Sequence, residues 1–333
     1  MTRDPEAMDQ FSAHMDRAWD LVASGDTRGA RSSARHAADI EPDNPEVHNL
    51  LGYISAADGD ADDALEHYRQ AMALDDEYLE AMLNAAEVLV HPLGEFDEAI
   101  SLCDEALEIS LSAEEQVDAL LLKFDALLAK GDGPGAAQVL DDLPDGPFEA
   151  PNYEFLIGRA FYDVGQTEPA ERHLQATLGS DPDHADAHYY LGIIADDRGD
   201  LGKAVEHYSL VRELDRRAPR AAWSLPLSDF RQAVDEALTK LSPELRAHVE
   251  GAKVYCTEAP GMERVADGCD PRIPVLLDGL EQSAPLRLFV YQRNVERMYY
   301  GADLMKEDLA ALVAREIEAV FVKSEKPRGQ TPG

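Results

Sequence analysis

Alanine recurs along this 333-residue chain at Ala30, Ala64, Ala99, Ala136, Ala170 and Ala204, at steps of 34, 35, 37, 34 and 34 residues. Five residues before each stands a glycine that ends a short apolar stretch: Gly25-Asp26, Gly59-Asp60, Gly94-Glu95, Gly131-Asp132, Gly165-Gln166 and Gly199-Asp200. A period near 34 with a turn at its middle and a small residue just after it is the pattern of stacked helix–turn–helix units. One such unit cannot bury its apolar face alone. The fold class that follows is an all-α solenoid of six helix pairs over residues 11–218, and its product is a binding surface.

Two copies agree position by position. Leu51-Gly52-Tyr53, Gly59, Ala64, Tyr68, Ala71 and Leu74 return as Leu191-Gly192-Ile193, Gly199, Ala204, Tyr208, Val211 and Leu214. A third reads Ile157-Gly158, Phe161, Gly165, Ala170, Leu174 and Pro182. These residues resemble the tetratricopeptide repeat. In that family small residues let paired helices approach closely, and the resemblance gives Tyr68, Tyr208 and Leu174 the space between neighbouring hairpins. Pro42 and Pro182 stand where a helix must stop, whereas the second copy has Asp75-Asp76 there. The third and fourth copies are irregular. One residue is inserted near His91-Pro92, and Gly131-Asp132-Gly133-Pro134-Gly135 predicts a broken turn.

Charge is the informative part of the composition. The chain carries a formal net charge of −36; 16 basic and 48 acidic residues precede position 223, and 14 and 18 follow it. A field of that sign repels nucleic acid and anionic membranes, which need basic patches. The partner expected is a basic peptide or protein; a solvated acidic surface serving solubility in a salt-adapted organism is the alternative. No run of 18 apolar residues predicts a transmembrane helix, and the first residues lack a signal-peptide core, which predicts the cytoplasm. Cys103, Cys256 and Cys269 are too scattered for a disulfide framework or a metal knuckle and are expected as buried, reduced thiols.

After Pro219 the 34-residue period ends. Leu227–Leu241 has apolar residues at helical spacing, with Ser228 expected as its N-cap, and Pro243 opens a short helix. Strands are predicted at 252–257 and 285–291, a short apolar element at 275–279, and a last helix over about 306–322. With an N-terminal tail at 1–10 and a C-terminal tail at 326–333, this predicts a small α+β domain at 224–325.

The order of these elements resembles the minimal zincin-like metallopeptidases. The more specific pieces are Tyr291-Gln-Arg-Asn-Val-Glu-Arg297 and the helix Arg315-Glu316-Ile317-Glu318-Ala319-Val320-Phe321. The family's HExxHxxGxxD signature holds zinc by two imidazoles four residues apart, with the intervening Glu as general base. The resemblance puts Glu316 at the base position, Glu325 near the acidic ligand, Val322 in place of the glycine, and Arg315 and Ala319 where the imidazoles belong. A guanidinium stays protonated and alanine has no ligand atom. Only His248 of the ten histidines follows residue 222, so no pair can rebuild the site. The domain is therefore expected to lack zinc, any other cofactor and peptidase activity, with Glu316 paired to Arg315 or Arg297. A peptidase with a rearranged site is the competing reading, and a domain that merely caps the solenoid is a third.

His184 and His188 stand four apart with Asp183 and Asp186 nearby, a spacing compatible with metal, but no third ligand is dictated and a structural role is expected. With only Lys123, Lys130 and Lys203 before residue 222, the repeats lack the lysines that clamp a carboxylate tail. The binding-groove candidates are Asn49, Tyr53, Asn84, Glu87, Glu154 and His188. The expected function is a protein-interaction scaffold.

Overall fold

A computed structural model describes residues 5–150, 152–280 and 285–321. The chain divides into two compact units, Met1–Ser180 and Asp181–Gly333.

The first unit is five helix pairs. They are α1 (Pro5–Ala23) with α2 (Thr27–Ile40), α3 (Pro45–Ala57) with α4 (Ala61–Leu74), α5 (Leu79–Val88) with α6 (Phe96–Ile109), α7 (Ala113–Lys130) with α8 (Gly133–Val139), and α9 (Asn152–Asp163) with α10 (Thr167–Ser180). The first helix thus begins inside the segment expected to be an N-terminal tail. In the second pair the turn shows the device that the pairs with a Gly-Asp turn share. Gly59 adopts φ +82°, a conformation that costs glycine nothing. The Gly59 N–H then bonds to the Ala56 carbonyl and the Asp60 N–H to that of Ser55, closing α3 with a Schellman motif. The Asp60 carboxylate next caps α4 by accepting from the Asp63 N–H.

The recurring alanines are all completely buried. Gly52 plays the complementary part: a Cβ there would sit 2.6 Å from the Tyr68 ring, so only glycine lets the ring lie on the α3 backbone. The inserted residue near His91-Pro92 is absorbed by a π-helical turn at Leu89–Leu93 with non-helical dihedrals at His91. The turn at Gly131 departs from expectation. It is regular, because Asp132 caps α8 at the Gly135 N–H and Pro134 sits in the first helical turn, where a missing N–H is harmless.

The second unit opens with the sixth pair, α11 (Ala185–Asp197) and α12 (Leu201–Arg217). The compact units therefore part after Ser180 and not near residue 220. Then come α13 (Leu227–Lys240), α14 (Pro243–His248), β1 (Lys253–Thr257), α15 (Met262–Ala266), β2 (Val275–Asp278), β3 (Arg287–Tyr291), α16 (Gln292–Glu296) and α17 (Ala302–Phe321). The three-stranded sheet has the order β1-β3-β2. β1 runs parallel to β3, from Lys253 opposite Arg287 to Thr257 opposite Tyr291. β2 runs antiparallel to it, with Leu277 opposite Leu288. Phe230, Val234 and Ala237 of α13 and Met305, Leu309, Val313 and Ile317 of α17 meet Cys256, Leu277, Leu288 and Val290 of the sheet in one core.

Two local expectations fail. Ser228 is not the N-cap of α13; Pro226 holds that position and the Ser228 hydroxyl donates to Asp229. The last helix begins at Ala302, a full turn before Lys306. The single-turn helix α15 was not predicted, and its Val265 is completely buried beside Ala195, Ala204 and Tyr208 of the sixth pair. Cys103 and Cys256 are buried as expected, and Cys269 only partly. No helix among the described residues is long and apolar enough to cross a membrane.

Candidate binding groove and zinc-ligand positions

Three of the six groove candidates share one cleft. Tyr53 of α3, Asn84 and Glu87 of α5, and His91 border a cavity of about 320 Å³ floored by Tyr68. Helical spacing explains the grouping, since Tyr53 and Glu87 occupy matching faces of successive first helices. Tyr53 is 42% exposed, and its ring meets that of Trp19 edge to face at 5.5 Å.

Asn49 lies beneath this rim, buried. Its Oδ1 accepts from Asn84 Nδ2 at 3.0 Å, and its Nδ2 donates to the Tyr78 hydroxyl at 3.4 Å. Burial pushes the Tyr78 phenol up to about 12, and the nearby Glu80 and Glu46 charges push the same way. Asn49 is thus a linker between helices that fixes the neighbouring Asn84.

The other two candidates stand elsewhere. Glu154 pairs with His173 Nδ1 at 2.8 Å, and His173 stacks on Phe161. His188 is buried, with Nε2 on the Pro182 carbonyl at 3.0 Å and Nδ1 2.9 Å from His207 Nδ1. His184 Nδ1 accepts from the Ala187 N–H and caps α11. Each imidazole of the His184/His188 pair is held by a local structural bond.

The second unit holds a constellation absent from the sequence reading. Arg272 lies with its guanidinium 4.6 Å above the Tyr189 ring. It reaches Asp186 at 2.6 Å and forks onto Asp215 at 2.9 and 3.1 Å. The neighbouring Asp270 accepts from the Tyr189 hydroxyl at 3.0 Å, and Arg297 adds a third bond to Asp215 at 2.6 Å. Burial pushes the Asp215 carboxyl upward, but the bonds and charges of Arg272 and Arg297 outweigh it and hold it below its ordinary value. An acid-and-tyrosine surface on the sixth pair therefore grips an arginine. Its register is shared: Glu46, Asn49 and Asp75 stand 140 residues before Asp186, Tyr189 and Asp215.

On α17, Arg315 and Ala319 are exposed. Neither pairing expected for Glu316 forms. Arg315 bonds to Asp308 at 3.0 Å, and Arg297 is held by Asp215. Glu316 Oε1 instead accepts from the Leu277 N–H of the outer strand β2 at 3.2 Å. The carboxylate finds a backbone donor because β2 pairs with β3 on one side only. Glu325 and Val322 lie outside the described residues. A guanidinium, a methyl group and a carboxylate spent on a backbone amide do not fit zinc, which requires neutral nitrogen, thiolate or free carboxylate donors.

Comparison with known proteins adds the family. The tetratricopeptide repeat matches at residues 15–78, 56–114 and 155–222, which together make up half of the chain. The probable biofilm formation methyltransferase WspC of Pseudomonas putida is 35% identical over 69 residues, 21% of this chain. The chain spans only 16% of the length of that curated relative. Among solved structures, Pseudomonas aeruginosa PilF is 17% identical with a TM-score of 0.53, over 64% of this chain and 95% of PilF. PilW, described as a widely conserved type IV pilus biogenesis factor, is 19% identical with a TM-score of 0.53, over 62% of this chain and 94% of PilW. At such identities the likeness is one of fold. The repeat match over half the sequence, with helix pairs at the same positions, shows that the chain belongs to the tetratricopeptide repeat family.

Proposed function

We propose that this protein is a cytoplasmic interaction scaffold whose acidic repeats capture a basic segment of a partner protein, with the Tyr53–Asn84–Glu87 cleft as the anchor point. The observation that carries the reading is the grip on Arg272. Where the chain itself supplies a guanidinium, the sixth pair holds it between a tyrosine face and two aspartates. The second pair carries Glu46 and Asp75 in the same register, with Asn49 at the position of Tyr189, and the exposed Tyr53 four residues further along α3 borders the cleft. An arginine meeting such a surface gains bidentate hydrogen bonds and a cation–π contact. Aromatic anchors of this kind concentrate binding energy.

The small α+β domain is, in the same proposal, a zincin-like fold without catalytic function. The donor set on α17 supports this, since Arg315 and Ala319 offer zinc nothing and Glu316 serves the sheet edge. The scaffold reading is tested by fluorescence anisotropy with a labelled arginine- and lysine-bearing peptide. Tyr53→Ala and Glu87→Lys should each weaken binding about ten-fold, or about 1.4 kcal/mol. Unchanged affinity in both variants would remove the cleft from the proposal.

A further inference from the structure

The strongest feature left over is a knot of arginines in a chain of net charge −36. The end of α12 and the segment 218–221 face α16 across a cleft of about 180 Å³, bordered by Arg220, Arg293 and Arg297 together with Asp215 and Glu296.

The two carboxylates are already committed. Asp215 accepts two bonds from Arg272 and one from Arg297. Glu296 is buried and accepts from the Ser224 hydroxyl at 2.6 Å, the Leu225 N–H at 3.1 Å and Gln292 Nε2 at 2.7 Å. The arginines are less fully occupied. Arg293 donates from one Nη to the carbonyls of Asp215 and Ala218, at 2.7 and 2.9 Å. Its Nε–H is buried and has no partner among the described residues. Arg297 is 41% exposed beyond its bond to Asp215. Arg220 borders the same cleft from 218–221, and its partner Glu258 is 55% exposed on the surface.

We propose that this cleft is a binding site for a phosphate-sized oxyanion, held by Arg293 from below and by Arg220 and Arg297 from the sides. The guanidinium fork matches a tetrahedral oxyanion with two parallel N–H bonds. Arg220, Arg293 and Arg297 against Asp215 and Glu296 leave the lining with one net positive charge in a chain that is acidic as a whole. Because Arg293 also holds the last carbonyls of α12, the bound anion would brace the junction between the sixth pair and the α+β elements of this unit.

The test is calorimetric titration of inorganic phosphate into the full chain, with ionic strength held constant by chloride. Saturable binding at one site is expected, with sulfate competing and chloride not. Arg220→Gln and Arg297→Gln should each raise the Kd at least about ten-fold, while Arg69→Gln, in the first unit, should leave it unchanged. Should Arg297→Gln misfold by freeing Asp215, Arg220→Gln carries the test, because its side chain meets only surface groups. O-phosphoserine provides the second arm. Tighter binding than phosphate, lost in Arg220→Gln, identifies a phosphorylated side chain as the source; equal or weaker binding identifies the free anion. Absence of saturable binding, equal competition by chloride, or an unchanged Kd in folded Arg220→Gln would overturn the proposal.

Discussion

Gly52→Ala would probe the packing rule on which the repeats rest. Within a helix this substitution ordinarily stabilises by about 1 kcal/mol, because glycine loses more backbone entropy on folding. Here the new methyl would meet Tyr68 ring carbons at 2.6, 2.6 and 3.0 Å. The optimum for such contacts is about 3.5–4.0 Å, so the ring must retreat by about 1 Å. Tyr68 is 2% exposed and clusters with Ala64, Ala85 and Ala86, so it can retreat only toward the cleft it borders, giving up packing in the pair. Overpacking of a full core costs about 1–3 kcal/mol. The net should be a destabilisation of up to about 2 kcal/mol, opposite in sign to the propensity effect. Gly179, in α10 with open space around it, supplies the contrast, and Gly179→Ala should stabilise slightly. Urea unfolding followed by circular dichroism reads both, as shifts in midpoint at constant slope. If Gly52→Ala proved as stable as the parent chain, the close approach of ring and backbone would not be what shapes the pair.

Further outcomes follow from the second unit and from the charge. Asp215→Asn removes one of the two carboxylates that hold Arg272 and leaves Asp186, so thermal unfolding should show a destabilisation smaller than the about 3–5 kcal/mol of a buried charge left unpaired. Its pH dependence has a definite sign. The folded carboxyl is held below its ordinary value, so its stabilisation is present above about pH 3.9 and is lost as pH falls from there through the folded value. The acid limb of a stability–pH curve should accordingly be flatter in Asp215→Asn than in the parent. Zinc analysis of the purified chain should find none in stoichiometric amount, and Arg315→His combined with Ala319→His should create measurable affinity; bound zinc with a peptidase activity abolished by Glu316→Gln would overturn the inactive-domain reading. Binding of the basic peptide should fall steeply between about 0.05 and 0.5 M salt as the Debye length shortens, whereas indifference to salt would favour the solvated-surface alternative.

The helix pairs were legible because each rests on local chemistry repeated six times. A turn glycine and a buried alanine recur at a fixed spacing in all six pairs and a capping aspartate in four, and none needs a distant partner to be recognised. The strands of the second unit were legible for a similar reason, as short apolar runs between turns. What stayed hidden depends on contacts between remote residues. Arg272 and Asp186 lie 86 residues apart, and nothing in either neighbourhood signals the other. Glu316 escaped because its partner is a backbone amide, which has no residue type to read. α15 is one turn long and shows no periodicity. Ser228 misled because proline two residues earlier opens the helix without a side-chain cap. In the groove, exposure on matching helical faces brought Tyr53, Asn84 and Glu87 together, while the acid and imidazole of Glu154 and His188 were already satisfied by neighbouring histidines.

Hydrogen exchange on the full chain, with and without the arginine- and lysine-bearing peptide, tests the scaffold claim most directly. The account predicts new protection concentrated in α3 and in α5 with its π-helical turn, around Tyr53, Asn84 and Glu87, and lost in Tyr53→Ala. Protection spread evenly over the acidic helices, or confined to segments outside α3 and α5, would contradict it.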